Sequence, residues 1–478
     1  MTHHDLVVLG GGPGGYATAF RAASRGLDVA VVERDRVGGT CLHRGCIPSK
    51  AVLHVAEVLS EVHRGDVLGL RVSFDGLDGQ ALSEFREGVI TTLYKGLSFL
   101  AKERTTLYEG HGSIVATEDG LAVDVVASEG GEPVRVHGRD VVLATGSHPR
   151  SLPGVAVDGE VVQTSDQALW FTEAPERAVV IGAGAIGMEF ASMWHPMGSH
   201  VTVVEALDRV LPLEDADSSA AVATAFRRRG IDVLTSAPVS RVEVDGGRAV
   251  VEVEVDGAVQ SIEADRVLVA IGRGPSTDDT GAAQLGVLDD HGFVMTDAFG
   301  ASSVDGLWAV GDVRPTLALA HAAFAEGFVV ADRIAGVEDV VAVDHVNTPR
   351  VTYCHPEVAS VGLTESEARA RHGDDTVATT SYPFKANAKG IIHGSDGLVK
   401  LVHAAGEPPA GAPGDAGPVL GVHVVGPHAT DLIGEATLAT AWQAVPTELA
   451  AITHAHPTLS EAMGEAFQAA AGVPFHGH

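Results

Sequence analysis

The chain of 478 residues predicts an α/β protein built on two Rossmann-like dinucleotide-binding domains. Three observations predict it. A glycine fingerprint follows the first apolar run, the same grammar returns at Gly182, and two of only three cysteines stand close together just after the first fingerprint.

Leu6-Val7-Val8-Leu9 reads as a short buried strand beginning near Asp5, and it runs directly into Gly10-Gly11-Gly12-Pro13-Gly14-Gly15. A helical pattern then continues through Arg25, and a second strand, Val29-Ala30-Val31-Val32, ends on Glu33. Strand, GxGxxG, helix, strand, acid is the full dinucleotide signature, far more specific than the glycines alone. Gly10 permits the tight turn, Gly12 lets a pyrophosphate approach the backbone, and Gly15 lets helix pack on strand. The helix N-terminus supplies amide donors and the positive end of a dipole. Glu33 falls where a carboxylate binds ribose hydroxyls.

The second copy runs from Ala178-Val179-Val180-Ile181 into Gly182, Gly184 and Gly187, through a helix to about Met197, and into Val201-Thr202-Val203-Val204 and Glu205. A carboxylate at Glu205 accepts hydrogen bonds from a free 2′-hydroxyl and repels a 2′-phosphate, which favours NAD over NADP. The nearest following arginine is Arg209. Two dinucleotide sites imply two cofactors, and a cysteine pair right after the first suggests flavin chemistry. A late strand, Gly306-Leu307-Trp308-Ala309-Val310-Gly311-Asp312, brings an aspartate able to bind a polyol hydroxyl.

Cys41 and Cys46 sit in Gly39-Thr40-Cys41-Leu42-His43-Arg44-Gly45-Cys46-Ile47-Pro48-Ser49-Lys50. A chain this poor in cysteine is no disulfide scaffold, so a close pair points to chemistry. Five residues of regular helix rise about 7.5 Å, beyond the roughly 7 Å Cα separation that a disulfide spans. The two can bridge only where the backbone is distorted, and Gly45 and Pro48 suit that. A strained, reducible bridge is what a redox enzyme needs. Two other readings stay open: a zinc site using His43, which lacks a second cysteine cluster, and two free buried thiols.

The length allows two to four domains, and 45% hydrophobic residues is ordinary for a globular protein. No apolar run approaches the length of a membrane span, and no signal segment is legible at the N-terminus, so a cytoplasmic location is expected. A formal charge of −31 argues against nucleic acid or an anionic membrane surface as partner. Six lysines against twenty-six arginines suggest a high-GC genome.

With these residues in place, the chain resembles the pyridine nucleotide–disulfide oxidoreductases, and among them the dihydrolipoamide dehydrogenase branch. The cysteine motif carries the resemblance together with Ala144-Thr145-Gly146-Ser147, Ala270-Ile271-Gly272-Arg273, Pro356-Glu357-Val358-Ala359-Ser360-Val361-Gly362 and His454-Ala455-His456-Pro457-Thr458-Leu459-Ser460-Glu461. The resemblance covers nearly the full length. It implies an FAD-binding domain over 1–149, an NAD-binding domain over 150–273, a central domain returning to the flavin over 274–344, and a C-terminal α+β dimerisation domain over 345–478.

The same resemblance implies FAD contacts at Glu33, Lys50, Gly112, Thr145, Asp312 and His321, and NAD contacts at Gly182, Gly184, Gly187, Glu205, Val239 and Gly272. Lys50 would lie near the flavin and pair with Glu189. Cys41 would meet substrate, and Cys46 would face the flavin and pass electrons through FAD to NAD. No resident metal is expected. Dihydrolipoamide thiols are poor nucleophiles at neutral pH, since free thiols have pKa values around 8.5. A base is therefore needed, and His456 oriented by Glu461 is the implied pair. His454 reads as a neighbour. The base would come from the opposite subunit, so the implied assembly is a homodimer with each active site completed across the interface. Its substrate would be lipoamide or a lipoyl domain, and it would serve a 2-oxo-acid dehydrogenase complex.

His43-Arg44 replaces the Asn-Val common between such cysteines. Two expectations follow: added positive charge that depresses the thiol pKa values, or plain solvent exposure. Cys354 is expected to be a buried, inert thiol, and Ala404–Pro418 a mobile surface insertion. The rival readings are a reductase of another low-molecular-weight disulfide, such as a glutathione-like thiol, and a docking subunit of a multienzyme complex. Glu205 argues against the NADP preference usual in the first.

Overall fold

The computed structural model describes residues 2–127, 130, 132–406 and 416–476. Along residues 1–150 come β1 (Thr2–Leu9), α1 (Pro13–Ser24), β2 (Val29–Glu33), α2 (Gly39–His43), α3 (Cys46–His63) and α4 (Gly79–Arg104). Five strands follow: β3 (Thr106–Glu109), β4 (His111–Thr117), β5 (Gly120–Val126), β6 (Val134–Leu143) and β7 (Ser147–Pro149).

Residues 151–271 hold β8 (Val162–Gln163), α5 (Ser165–Ala168), β9 (Arg177–Ile181), α6 (Ala185–Trp194), β10 (His200–Val204), α7 (Ala216–Arg229) and β11 (Asp232–Leu234). A meander of β12 (Val239–Asp245), β13 (Arg248–Val255) and β14 (Ala258–Ala264) precedes β15 (Arg266–Val269). The next stretch contributes β16 (Arg273–Pro275), β17 (Leu307–Ala309) and α8 (Ala320–Ile334). The last contributes β18 (Arg350–Thr352), β19 (Glu357–Gly362), α9 (Glu365–His372), β20 (Val377–Pro383), α10 (Ala388–His393), β21 (Leu398–Ala405), β22 (Ala416–Gly426), α11 (Ala429–Ala441), α12 (Pro446–Ala450) and α13 (Glu461–Ala470).

These elements form two compact units, each assembled from separated stretches: residues 1–51, 78–150 and 272–345 in the first, and 52–77, 151–271 and 346–478 in the second. In the first unit a seven-stranded sheet runs β3-β2-β1-β6-β5-β4, with β17 also on β6. Strand β1 is parallel to β2 and β6, whereas β4, β5 and β6 form an antiparallel meander. The apolar run of β1 does not alternate with polar residues, because both its faces are buried. Val7 and Leu9 pack with Ile114, Val123 and Leu143 on one face; Leu6 and Val8 pack with Ala19, Ala22 and Val330 on the other. The strand starts at Thr2, before the expected Asp5, because β6 pairs with it as far back as Val136 and His3 stacks on His137. A partner more than a hundred residues away extends it through residues whose own pattern is polar.

The second unit holds a parallel sheet, β11-β10-β9-β15-β8, and the antiparallel meander β12-β13-β14. Val179 and Ile181 of β9 bury against Ala249, Val251 and Val253 of β13. The unit also holds an antiparallel sheet, β18-β19-β22-β21-β20. Val399 and Leu401 of β21 share one core with Ile433 of α11 and with Met463 and Phe467 of α13. Of the expected insertion, 407–415 lies outside the described residues, while Ala404 ends in β21 and Pro418 lies in β22.

Candidate active site

In the first unit the nucleotide fingerprint closes as a steric necessity. Gly10 has φ +107°, and a Cβ on it would meet Ala144 O at 2.4 Å; a Cβ on Gly15 would meet Gly10 O at 1.8 Å. At Gly12, by contrast, the nearest atom to an added Cβ is 3.9 Å away, which leaves the backbone open to a pyrophosphate. The Glu33 carboxylate accepts from Gly11 N at 2.6 Å and from Asp35 N at 2.9 Å, so it is fixed at the end of β2.

The other expected flavin contacts lie in the same unit. Thr145, after β6, donates its hydroxyl to Ser276 O at 2.6 Å. Asp312, after β17, accepts from the Ser147 hydroxyl at 2.5 Å, and Arg273 Nε donates to that same hydroxyl at 2.7 Å. Gly112 on β4 has no room for a side chain between Leu9, Val32 and Val123. His321 is exposed near the start of α8. Gly10, Glu33, Thr145 and Asp312 all follow or end strands at the carboxyl edge of the sheet, where open α/β folds take their ligands. These residues fit a dinucleotide.

The second fingerprint repeats this geometry in the second unit: a Cβ on Gly187 would meet Gly182 O at 1.9 Å, whereas one on Gly184 would meet nothing within 4 Å. Glu205, 8% exposed, accepts from Ala183 N at 2.7 Å and Leu207 N at 2.9 Å. Arg209 Nη2 donates to Pro212 O at 3.1 Å, within its own loop. Val239 opens β12 opposite Val253. Gly272 belongs to the first unit, where its carbonyl accepts from Arg150 N at 3.0 Å. This site too fits a dinucleotide.

Between the cysteines the helix breaks, as the spacing requires. Helix α2 ends at His43, Arg44 leaves helical geometry with φ −141°, and α3 starts at Cys46. A Cβ on Gly45 would stand 3.2 Å from Thr40 O, so the break is tight. Both cysteines are half-buried thiols, and Cys41 hydrogen-bonds to Cys46. That hydrogen bond, then burial, pushes the Cys41 thiol well up, with Asp312 adding to the rise and the Lys50 ammonium opposing it. The reduced pair therefore holds on to a proton. Lys50 lies one turn beyond Cys46 on α3, on the same helical face. Among the described residues no three His, Cys, Asp or Glu side chains gather to hold a metal.

Neither expectation for His43-Arg44 describes the histidine. His43 is 3% exposed, its Nε2 is 2.9 Å from Val37 O, and its ring packs edge-on against Tyr94 of α4. Burial, foremost, lowers its pKa, so the imidazole stays neutral and brings no charge to the thiols. Arg44 turns instead to Asp35, at 3.5 Å. The expectation of depressed thiol pKa values is thus corrected: one side chain is neutral, the other is paired elsewhere, and Cys41 is raised. Sequence reasoning also missed Tyr16, one residue after Gly15. Its phenol is pushed up to about 12 by burial and then by the two cysteines, which marks it as their neighbour.

Cys354 is buried, its Sγ donates to Pro356 O at 3.1 Å, and burial above all pushes its thiol up. Glu189, 7% exposed on α6, accepts from Tyr353 N at 3.0 Å. Lys50 falls in the first unit and Glu189 in the second.

His456 and Glu461 come together in the second unit. His456 Nδ1–H donates to Glu461 Oε1 at 2.8 Å, and Thr458 N donates to Oε2 at 2.8 Å. Burial acts to raise the Glu461 pKa, but the Thr458 amide and His456 outweigh it and hold the carboxyl below its ordinary value. With Nδ1 occupied, Nε2 carries the free lone pair on a side chain that is 77% exposed. His454 has a different partner, Glu435 Oε1 at 2.9 Å.

Residues 4–327 match the family described as pyridine nucleotide-disulphide oxidoreductase, and residues 348–467 match its dimerisation domain. A Bacillus subtilis protein named dihydrolipoyl dehydrogenase is 38% identical over 484 residues, covering 99% of each chain. A Zymomonas mobilis protein of the same name is 39% identical over 477 residues, again covering 99% of each. The crystal structure of a Mycobacterium tuberculosis protein named LpdA superposes with a TM-score of 0.87 at 26% identity, covering 98% of this chain and 99% of that one.

Proposed function

Because the chain belongs to the pyridine nucleotide-disulphide oxidoreductases, we propose that it is a dihydrolipoyl dehydrogenase, using FAD and NAD to oxidise dihydrolipoamide to lipoamide. The observation that carries the reading is the hydrogen-bonded Cys41–Cys46 dithiol at a helix break, downstream of a fingerprint that fits a dinucleotide. Relatives named dihydrolipoyl dehydrogenase that span the whole chain support it.

In the oxidised enzyme Cys41 and Cys46 form the disulfide. His456 Nε2 takes a proton from one substrate thiol, and the thiolate attacks Cys41 Sγ, releasing Cys46 as a thiolate. The second substrate thiol then attacks the first sulfur and passes its proton to Cys41, which leaves as a thiol as the lipoamide disulfide closes. Two electrons now rest on the enzyme's dithiol. Glu461 holds Nδ1–H and stabilises the imidazolium that forms. Bound FAD supplies the two-electron relay that carries this reducing power to NAD. Gly10, Gly12, Gly15, Glu33, Lys50, Gly112, Thr145, Asp312 and His321 are assigned to the flavin. Gly182, Gly184, Gly187, Glu205, Val239 and Gly272 are assigned to NAD, and Lys50 and Glu189 complete the catalytic set.

The segments 1–149, 150–273, 274–344 and 345–478 are read as the FAD, NAD, central and interface domains. An exposed base with its lone pair turned outward suits a homodimer in which His456 serves the partner's cysteines. Among the described residues no helix is long and apolar enough to cross a membrane. A cytoplasmic enzyme acting on lipoyl groups of a 2-oxo-acid dehydrogenase complex is the reading we adopt. Steady-state rates with NAD and NADP, each against dihydrolipoamide, glutathione and a quinol, test it. The highest kcat/KM must fall on dihydrolipoamide with NAD; a preference for any other pair refutes the assignment.

A further inference from the structure

Lys400 lies on β21 with only 2% of its surface exposed, and its Nζ contacts three carboxylates. Asp215 Oδ1 is at 2.9 Å, Asp217 Oδ2 at 2.7 Å and Glu365 Oε2 at 2.7 Å. Beside it, Arg350 Nε of β18 is 3.2 Å from Glu214 Oε1, and the Ser360 hydroxyl of β19 donates to Glu214 Oε2 at 2.5 Å. The backbone N–H of Glu365 adds a bond to Asp215 Oδ2 at 3.0 Å. Glu214 and Asp215 are 8% and 2% exposed. Two consecutive buried carboxylates of one loop are therefore held by three strands and the first residue of α9. This is no solvated surface pair: removing one partner of a buried, hydrogen-bonded ion group leaves an uncompensated charge.

The loop so held starts at the nucleotide site. Residues 205–217 begin at Glu205, whose carboxylate grips Ala183 N and Leu207 N on either side. They return to the fingerprint where Leu211 N donates to Ala183 O at 2.8 Å, with Leu211 in the left-handed region at φ +46°. Val210 and Leu211 are buried there, but Leu213 is 81% exposed. Beyond Leu211 the loop is thus fixed by polar anchors and not by burial of apolar side chains. At Asp215 it passes into the first turn of α7, which that residue caps by accepting from Asp217 N at 3.0 Å. On the other side of the clasp, β21 shares a packed core with Leu459, Ala462 and Met463, which flank the His456–Glu461 pair. All of these groups lie in the second unit.

We propose that Lys400 is a positioning residue for nucleotide binding: with Arg350 it clasps the 205–217 loop so that Glu205 is presented to the NAD ribose. The inference rests on NAD occupying the Gly182–Glu205 site. A clasp of this kind acts on nucleotide affinity and leaves the thiol chemistry alone, so its loss appears in KM for NAD and not in kcat.

The test is Lys400→Met in the FAD-containing enzyme. The expected result is a rise of about tenfold in the Kd for NADH and in KM for NAD, with flavin content, kcat at saturating NAD and KM for dihydrolipoamide unchanged. An unchanged NADH Kd in a folded, flavin-bound variant overturns the proposal, as does an equal rise in KM for dihydrolipoamide. Should that variant fail to fold, Asp217→Asn provides the second measurement: its side chain is 55% exposed, and the ammonium keeps two carboxylates. It should weaken NADH binding about threefold with flavin intact, and unaltered NADH affinity again overturns the clasp. NADH binding is read without a disulfide substrate. A wild-type enzyme that binds NADH but ignores dihydrolipoamide would therefore sink the functional reading and leave this inference standing.

Discussion

His456 Nδ1 stands 2.8 Å from Glu461 Oε1, across a turn that passes through the cis bond of Pro457. The carboxylate is itself held by the Thr458 amide, so the ring is oriented by a group that cannot swing away. Replacing His456 by Gln should lower kcat/KM for dihydrolipoamide by about 10²–10⁴-fold. NADH oxidation by an artificial electron acceptor, which needs no thiol deprotonation, should survive. Glu461→Gln should follow in the same direction with a smaller loss. Equal damage to both reactions would mean that the pair supports the fold and not the proton transfer.

Cys41 and Cys46 share a hydrogen bond but are assigned unequal work. Cys41→Ala should abolish dihydrolipoamide oxidation, because no sulfur remains for the mixed disulfide. The variant should still bind FAD and oxidise NADH with artificial acceptors. A flavin-free Cys41→Ala protein would undercut the assigned roles.

Tyr16 carries a phenol pushed up to about 12 by burial and by the adjacent cysteines. In the unfolded chain it titrates near 10. Between these values the folded state binds the extra proton, so this stabilising contribution is full below pH 10 and is lost as the pH rises towards 12. An ultraviolet titration should show late-ionising phenol, to which Tyr382, also raised by burial, contributes, and Tyr16→Phe should remove the step near pH 12. If the variant retains it, the late phenol is another residue.

Much of the first site is written locally. Gly10 to Glu33 is one continuous stretch in which turn, helix and acid succeed each other at fixed spacing, so strand and helix ends were legible to within a few residues. His43 was not, because the ring that buries it, Tyr94, comes from α4, some fifty positions later, and neither neighbour in sequence hints at it. The same holds for the first unit as a whole. Its third stretch is tied in by β17 on β6 and β16 on β7, pairings that leave no local mark. Lys400 reads in sequence as one charged residue in a strand; only the fold brings Asp215, Asp217 and Glu365 to it.

His43 leads to a prediction of stability and not of reactivity. Burial keeps its imidazole neutral below the ordinary histidine value of about 6.5, whereas the unfolded chain protonates there. The unfolded state then holds more protons, so the enzyme should lose stability as the pH falls below about 6.5. His43→Leu removes that residue's share of the dependence, to which His355 and the buried His403 and His423 also contribute, but it orphans the Val37 carbonyl, at about 1–3 kcal/mol near pH 8. Melting temperatures over pH 5–8 should therefore start lower and fall less steeply in the variant. A changed pH profile for dihydrolipoamide oxidation would instead return His43 to the thiol chemistry.

The two fingerprints allow the cofactors to be removed one at a time. In Gly15→Ala the new Cβ would meet Gly10 O at 1.8 Å, and in Gly187→Ala it would meet Gly182 O at 1.9 Å. Neither carbonyl can retreat without opening the turn that receives a pyrophosphate. Gly15→Ala should be purified without flavin and without activity. Gly187→Ala should keep its flavin, and dihydrolipoamide should still bleach it anaerobically, since the cysteines and the first fingerprint are untouched. Reduction of NAD, however, should fall by two orders of magnitude or more, on the order of the 2.7 kcal/mol that such a loss represents. Visible absorbance during anaerobic titration, first with dihydrolipoamide and then with NAD, separates these outcomes. A Gly187→Ala enzyme that loses flavin, or one that reduces NAD at the wild-type rate, would mean that the second fingerprint does not hold the nicotinamide cofactor.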